Sequence, residues 1–61
     1  MATFKIKKDI ADNYYWILKS DKNQKIIAKS SESYEAKQGA KDSISWVKTN
    51  AEKAGIVDVA K

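Results

Sequence analysis

The chain has 61 residues, 43% hydrophobic and 33% charged, with a formal net charge of +4 from twelve lysines against eight acidic residues. Cys and His are both absent. That excludes disulfides and removes the thiolate and imidazole ligands of most zinc sites, so no metal and no cofactor are expected.

One domain is the limit for this length, and a single core of this size rarely supplies more than ~3–5 kcal/mol. With disulfides and metal set aside, oligomerisation is the remaining support. The apolar content is that of a soluble globular chain rather than a disordered one. No apolar run approaches the ~20 residues of a membrane span, and no charged-then-apolar leader is visible. A cytoplasmic protein with no membrane partner is expected. The lysines are interspersed with acids from Asp9 and Asp12 to Glu52 and Asp58, which reads as a solvated surface rather than a basic tail.

TFKIKK alternates, Phe4 and Ile6 on one face and Lys5 and Lys7 on the other, and predicts a strand over about 3–8. DIADN supplies turn chemistry, since Asp9, Asp12 and Asn13 bond their own backbone readily. NYYWILKS predicts a second strand over about 14–20. It is apolar on both faces: Tyr14, Trp16 and Leu18 share one, Tyr15 and Ile17 the other. SDKNQ is another turn, and KIIAKS predicts a third strand over about 25–30. Short polar connections between the strands favour an antiparallel meander.

The period then changes. Ala36, Ala40, Ile44, Val47 and Ala51 lie on one helical face, and a helix is predicted over about 35–50. Ser33 is the best side chain to cap it. Gly39 and Ser43 weaken the helix slightly, or let it lie close to the sheet. Gly55 offers a left-handed stop. IVDV predicts a fourth strand over about 56–59, with Val57 and Val59 on one face and Ile56 and Asp58 on the other. The order β-β-β-α-β gives an α+β fold: an antiparallel sheet with one helix on one face. Phe4, Ile6, Trp16 and Leu18 should meet that helix. Lys5, Lys7, Tyr15, Ile17 and also Ile27 fall on the open face.

FKIKKD, YWILK, IIAKS and the helix string Tyr34-x-x-Lys37-x-x-Ala40-x-x-x-Ile44-x-x-Val47-x-x-Asn50-Ala51 together resemble the YegP-like family of small bacterial proteins of unknown function. The resemblance spans roughly Thr3 to Ala51. It implies a unit that occurs twice in one chain or as two identical chains, with C-terminal strands exchanged. For a chain with one unit it implies a strand-swapped homodimer, with Ile56, Val57 and Val59 in the exchanged strand. No catalytic or ligand residue carries over. The pattern departs from the family in the longer SDKNQ turn, in Glu35 and Ala36 after the tyrosine, in Ser43 where a Gly is usual, and in Trp46 where a small or polar residue is usual.

The open face is the first candidate site. Tyr15 and Ile17 flanked by Lys5 and Lys7 have the ingredients of a stacking platform for single-stranded nucleic acid. One aromatic and no arginine make a weak signal. A half-covered face, or one buried in further self-association, carries more weight. Trp46 lies about 100° around the helix from Val47. It suits an anchor for a partner, and better a residue packed over the sheet edge or the incoming C-terminal strand. SSES reads as a connector containing a cap. An enzyme is not expected: there is no His or Cys to activate a nucleophile, the lysines read as solvated, and Asp9 with Asp12 reads as turn chemistry. The expected function is therefore a non-enzymatic homodimeric module of unknown role, scaffolding or stress-related. Weak single-stranded nucleic-acid binding on the open face is the alternative.

Overall fold

Alternation becomes sheet over the first half of the chain. In the computed structural model, which describes residues 1–60, β1 is Ala2–Lys8, β2 is Tyr14–Ser20 and β3 is Ile26–Lys29. Helix α1 is Lys37–Asn50, followed by a 3-10 turn at Ala51–Lys53. The sheet is antiparallel in the order β1-β2-β3, so the two-sided apolar strand is the central one. Phe4 stands opposite Leu18 and Ile6 opposite Trp16. The fold is the expected α+β arrangement of an antiparallel sheet with a single helix on one face.

Each hairpin is tied by its own polar residues. Asp9 Oδ1 accepts from the Ala11 N–H at 2.9 Å and the Asn13 N–H at 3.0 Å. The Asp9 N–H in turn donates to the Asn13 carbonyl at 2.8 Å. Asp12 takes a left-handed φ of 64° within this turn, a conformation that short polar side chains tolerate. In the second hairpin Gln24 does the same at φ 60°. Its N–H donates to the Ser20 carbonyl at 2.9 Å and its side-chain amide to the Asp21 carbonyl at 3.2 Å.

Between β2 and β3 the register slips at Leu18/Lys19. Leu18 pairs with Ala28 and Lys19 with Ile26, which leaves Ile27 as the extra residue of a bulge. Beyond β3 the pairing with β2 continues in single contacts. The Ser30 N–H donates to the Trp16 carbonyl at 2.9 Å, and Tyr14 and Tyr34 exchange two backbone hydrogen bonds of 2.7 Å each.

That last bridge moves the helix start. Tyr34 is held in extended pairing, so α1 begins at Lys37 and its N-cap is Ala36, with no side-chain cap. The expected cap, Ser33, instead donates its hydroxyl to Asp9 Oδ2 at 3.1 Å. Gly39 lies against Tyr34: a Cβ there would sit 3.1 Å from the tyrosine Cβ. The expected left-handed stop at Gly55 is absent, since no glycine has a positive φ. The helix ends instead through Ala51, whose N–H reaches the Val47 carbonyl, and tightens into the 3-10 turn.

Helix α1 lies over β1 and β2 and leaves β3 uncovered. Its less exposed residues are Gly39, Ala40, Ser43, Ile44 and Val47. The two ends of the expected stripe, Ala36 and Ala51, are exposed because one is the cap and the other has left the α-helix. Trp16 is 6% exposed. Phe4 meets it edge-on, with ring centroids 5.3 Å apart. Its indole Nε1–H donates to Ser43 Oγ at 2.9 Å.

The expected fourth strand is not formed within the chain. Residues 54–60 carry neither helix nor paired strand. The reason is geometric: a strand exists through its ladder, and the backbone donor of this segment beyond Ala54 that finds a partner is the Ala60 N–H, on Asp58 Oδ1 at 2.9 Å.

Candidate functional site

The open face is built by register. Lys5, Ile17 and Lys29 form one row across the three strands, Lys7 and Tyr15 a second, and Thr3 with Lys19 a third. These odd-numbered positions of β1 and β2 lie opposite the face on which Trp16 reaches the helix. The ammonium of Lys29 sits 5.0 Å from the Tyr15 ring centroid.

Ile17 is not an exposed part of this face. It is 3% exposed, which corrects its place in the expected binding surface. It sits mid-strand in β2, with Lys5 and Lys29 as its cross-strand neighbours and Tyr15 and Lys19 two residues to either side. Lysine stems lie down on apolar surface while their ammonium groups stay in water. Four long neighbours therefore suffice to cover one isoleucine without a helix. Lys5 and Lys7 are exposed, and Tyr15 is half-buried. The ammonium already over the Tyr15 ring occupies a place where a base would stack, and this weakens the platform reading.

Electrostatically the face has one sign. Lys5, Lys7, Lys19 and Lys29 have no carboxylate within ion-pairing distance among the described residues, where the one ion pair joins Lys8 to Asp12 at 4.0 Å. The carboxylates nearest in register, Asp9 and Asp21, lie at the hairpin ends and are engaged. Asp21 Oδ1 accepts from the Thr3 hydroxyl at 2.7 Å. Asp9 is held below the ordinary aspartate range, chiefly by the Asn13 N–H. Desolvation opposes this, and the Ser33 hydroxyl and Ala11 N–H add to the lowering.

Two further sets of residues lie apart from this face. Lys8 and Lys37 place their ammonium groups 5.4 and 5.8 Å from the Tyr14 ring centroid. The residues expected to exchange, Ile56, Val57 and Val59, are 97%, 83% and 83% exposed in the C-terminal segment. Trp46 is 67% exposed, so within its own chain it does not pack over the sheet edge. Its position off the buried helix face, about 100° from Val47, accounts for that.

The Trp16–Ser43 bond and the role of Ser30 were missed from sequence. Ser30 Oγ accepts the Trp16 N–H at 3.2 Å and donates to the Glu32 carbonyl at 2.9 Å. A signal for the first was present: a serine on the buried face of a helix, opposite a strand tryptophan whose N–H needs a partner.

No curated protein matches the chain. Among the described residues no helix is long and apolar enough to cross a membrane. Among solved structures, the chain is similar to a protein from Haloferax volcanii determined in solution by NMR. The two share 43% identity, 95% of each chain is covered, and the TM-score is 0.87. This relative is archaeal, whereas the sequence resemblance pointed to bacterial proteins. The model of a domain of unknown function, DUF1508, matches residues 9–58. The YegP-like family is that same family, and with most of its length inside the match, the chain belongs to the DUF1508 family.

Proposed function

We propose that this chain is a non-enzymatic homodimeric module in which two copies exchange their C-terminal segments. The observation that carries the reading is surface. A compact monomer of 6.9 kDa is expected to expose about 4,000 Å². This chain exposes 5265 Å². The excess is larger than the ~800 Å² that each partner buries in a standard interface. Much of it is apolar side chain with no intrachain cover, at Ile56, Val57 and Val59.

An acceptor edge is available. The bonds from Asp9 N–H to the Asn13 carbonyl and from Asp21 N–H to the Met1 carbonyl set the alternation of the β1–β2 ladder. Lys7, Lys5 and Thr3 then bond inward, and the backbone groups of Ala2, Phe4, Ile6 and Lys8 face away from β2. Edge β3 is short and bulged, features that discourage pairing; β1 is longer and regular. A partner's segment on β1 with Val57 and Val59 beside Phe4 and Ile6 brings Asp58 beside Lys5 and Lys7, a favourable cross-strand charge pairing. Support for a non-enzymatic role is compositional: the chain has neither His nor Cys, and its carboxylates at Asp9 and Asp21 serve turns.

Sedimentation equilibrium over a wide dilution range tests the reading. The expected result is a dimer for the full chain and a monomer for a chain ending at Ala54. A full-length monomer, or a truncated chain that still dimerises as tightly, overturns it.

A further inference from the structure

We infer that the open face of the sheet binds the phosphate backbone of single-stranded nucleic acid through Lys5, Lys7, Lys19 and Lys29. The inference is independent of the exchanged dimer. It also differs in mode from base stacking, because Tyr15 already carries the Lys29 ammonium at 5.0 Å.

The first support is charge. Four lysines share one face, and no carboxylate pairs with them among the described residues. The nearest carboxylates lie at the hairpin ends and are bonded to the turns and to Thr3. In an exchanged dimer Asp58 would join this face at its β1 edge, and four cations per copy would still outnumber it. Spacing is the second support. Residues two apart in a strand stand about 6.7 Å apart, and neighbouring strands about 4.8 Å apart. The ammonium groups thus form a grid on which a flexible chain of phosphates can rest. The third support is the floor. Ile17 is buried beneath this grid, so the centre of the face presents charge rather than an apolar wedge that would enter a lipid surface.

The occupant that matches is a flexible polyanion, and a single strand can adapt its phosphates to a three-stranded sheet. Binding through phosphates releases counterions, with a slope of log K against log salt of about −0.7 per contact for single strands. Four contacts per copy give a slope of about −2.8.

The test is fluorescence anisotropy of a labelled oligothymidylate across a salt series. The protein is the full chain, its fold checked by circular dichroism and its mass by sedimentation. Lys19→Gln with Lys29→Gln lies away from the β1 edge and keeps most of each stem over Ile17. This pair is expected to halve the slope to about −1.4, with mass unchanged. Adding Lys5→Gln and Lys7→Gln is expected to abolish binding. Absent binding at low salt, or a folded quadruple variant that binds as wild type does, overturns the inference. So does binding confined to vesicles of anionic phospholipid. A wild-type chain that sediments as a monomer yet binds the oligonucleotide with the expected slope would overturn the exchange and leave this inference standing.

Discussion

Ser43→Ala removes one hydroxyl from the helix–sheet contact and leaves Trp16 Nε1–H without its acceptor at 2.9 Å. Trp16 is 6% exposed, so little water can replace the lost partner. An unsatisfied buried donor costs about 1–3 kcal/mol. Alanine is the better helix former, which returns roughly 0.5 kcal/mol. Ser45→Ala supplies the control. Ser45 is exposed on the same helix and gains the same propensity with no bond to lose. The difference between the two variants then isolates the indole bond. At about 4–8 °C per kcal/mol for a domain of this size, it corresponds to a gap in Tm of roughly 4–24 °C. Thermal and urea unfolding followed by far-ultraviolet circular dichroism, at one fixed protein concentration, measures it. Equal stability of Ser43→Ala and Ser45→Ala would refute the claim that this bond fastens the helix to the sheet.

Gly39→Ala is expected to lose about 1 kcal/mol despite alanine's helix propensity. Its Cβ would lie 3.1 Å from the Tyr34 Cβ, and Tyr34 is pinned to Tyr14 by two backbone bonds of 2.7 Å; a gain in urea midpoint would contradict this. Ile17→Val should cost about 0.5–1.5 kcal/mol, as a core methylene does. It should leave oligonucleotide affinity unchanged, whereas reduced affinity in a fully folded variant would return Ile17 to the binding surface. Asp9 has its carboxyl lowered on folding, chiefly by the Asn13 N–H. Its stabilisation is therefore complete above the unfolded aspartate range and is lost as pH falls through the lower, folded value. Asp9→Asn does not titrate and keeps an acceptor for the two amides, so its stability should fall less than wild type's between neutral pH and strong acid. Parallel pH–stability curves would show that Asp9 contributes nothing to the acid limb.

The elements with a clean period were legible from residues alone. Phe4, Ile6, Trp16 and Leu18 fall on the helix side as alternation requires, and Ala40, Ile44 and Val47 face the sheet. What was not legible depended on pairing at a distance. Ser33 looked like a cap because cap chemistry is local, yet Tyr34 is claimed by Tyr14 twenty residues away, and the helix waits for Lys37. Gly55 looked like a stop for the same local reason, but the chain turns through a 3-10 segment and needs no left-handed residue. Ile17 was misread because period two assigns a face and says nothing of what covers it. Among the candidate site residues, Lys5, Lys7 and Tyr15 were within reach of alternation. Lys19, two residues beyond Ile17 on the same strand, was equally within reach of alternation but was not named, and Lys29 joined them only once the cross-strand register was known.

The doubly apolar strand follows from where β2 sits. A central strand in so small a sheet is covered on one face by α1 and on the other by the stems of its neighbours' lysines, and both coverings need apolar surface beneath them. Trp16 and Ile17 are the two answers, adjacent in sequence and on opposite faces, and with Ala40 they are the buried side chains of the described residues. A core this small leaves the edges of the sheet, not its open face, as the place where the proposed second copy would add stability. Most of the large apolar residues left uncovered among the described residues are distributed accordingly: Ile56, Val57 and Val59 lie in a segment with no ladder of its own, and Ile26 and Ile27 at the bulged edge of β3, while Met1, Ile10 and Trp46 lie at the first residue, in the first hairpin and on the helix. The proposed self-association at an edge and the proposed anion binding on the face therefore draw on different residues of one sheet. For that reason variants at Lys19 and Lys29 should separate the two properties cleanly, whereas variants at Lys5 and Lys7, beside the β1 edge, should disturb both.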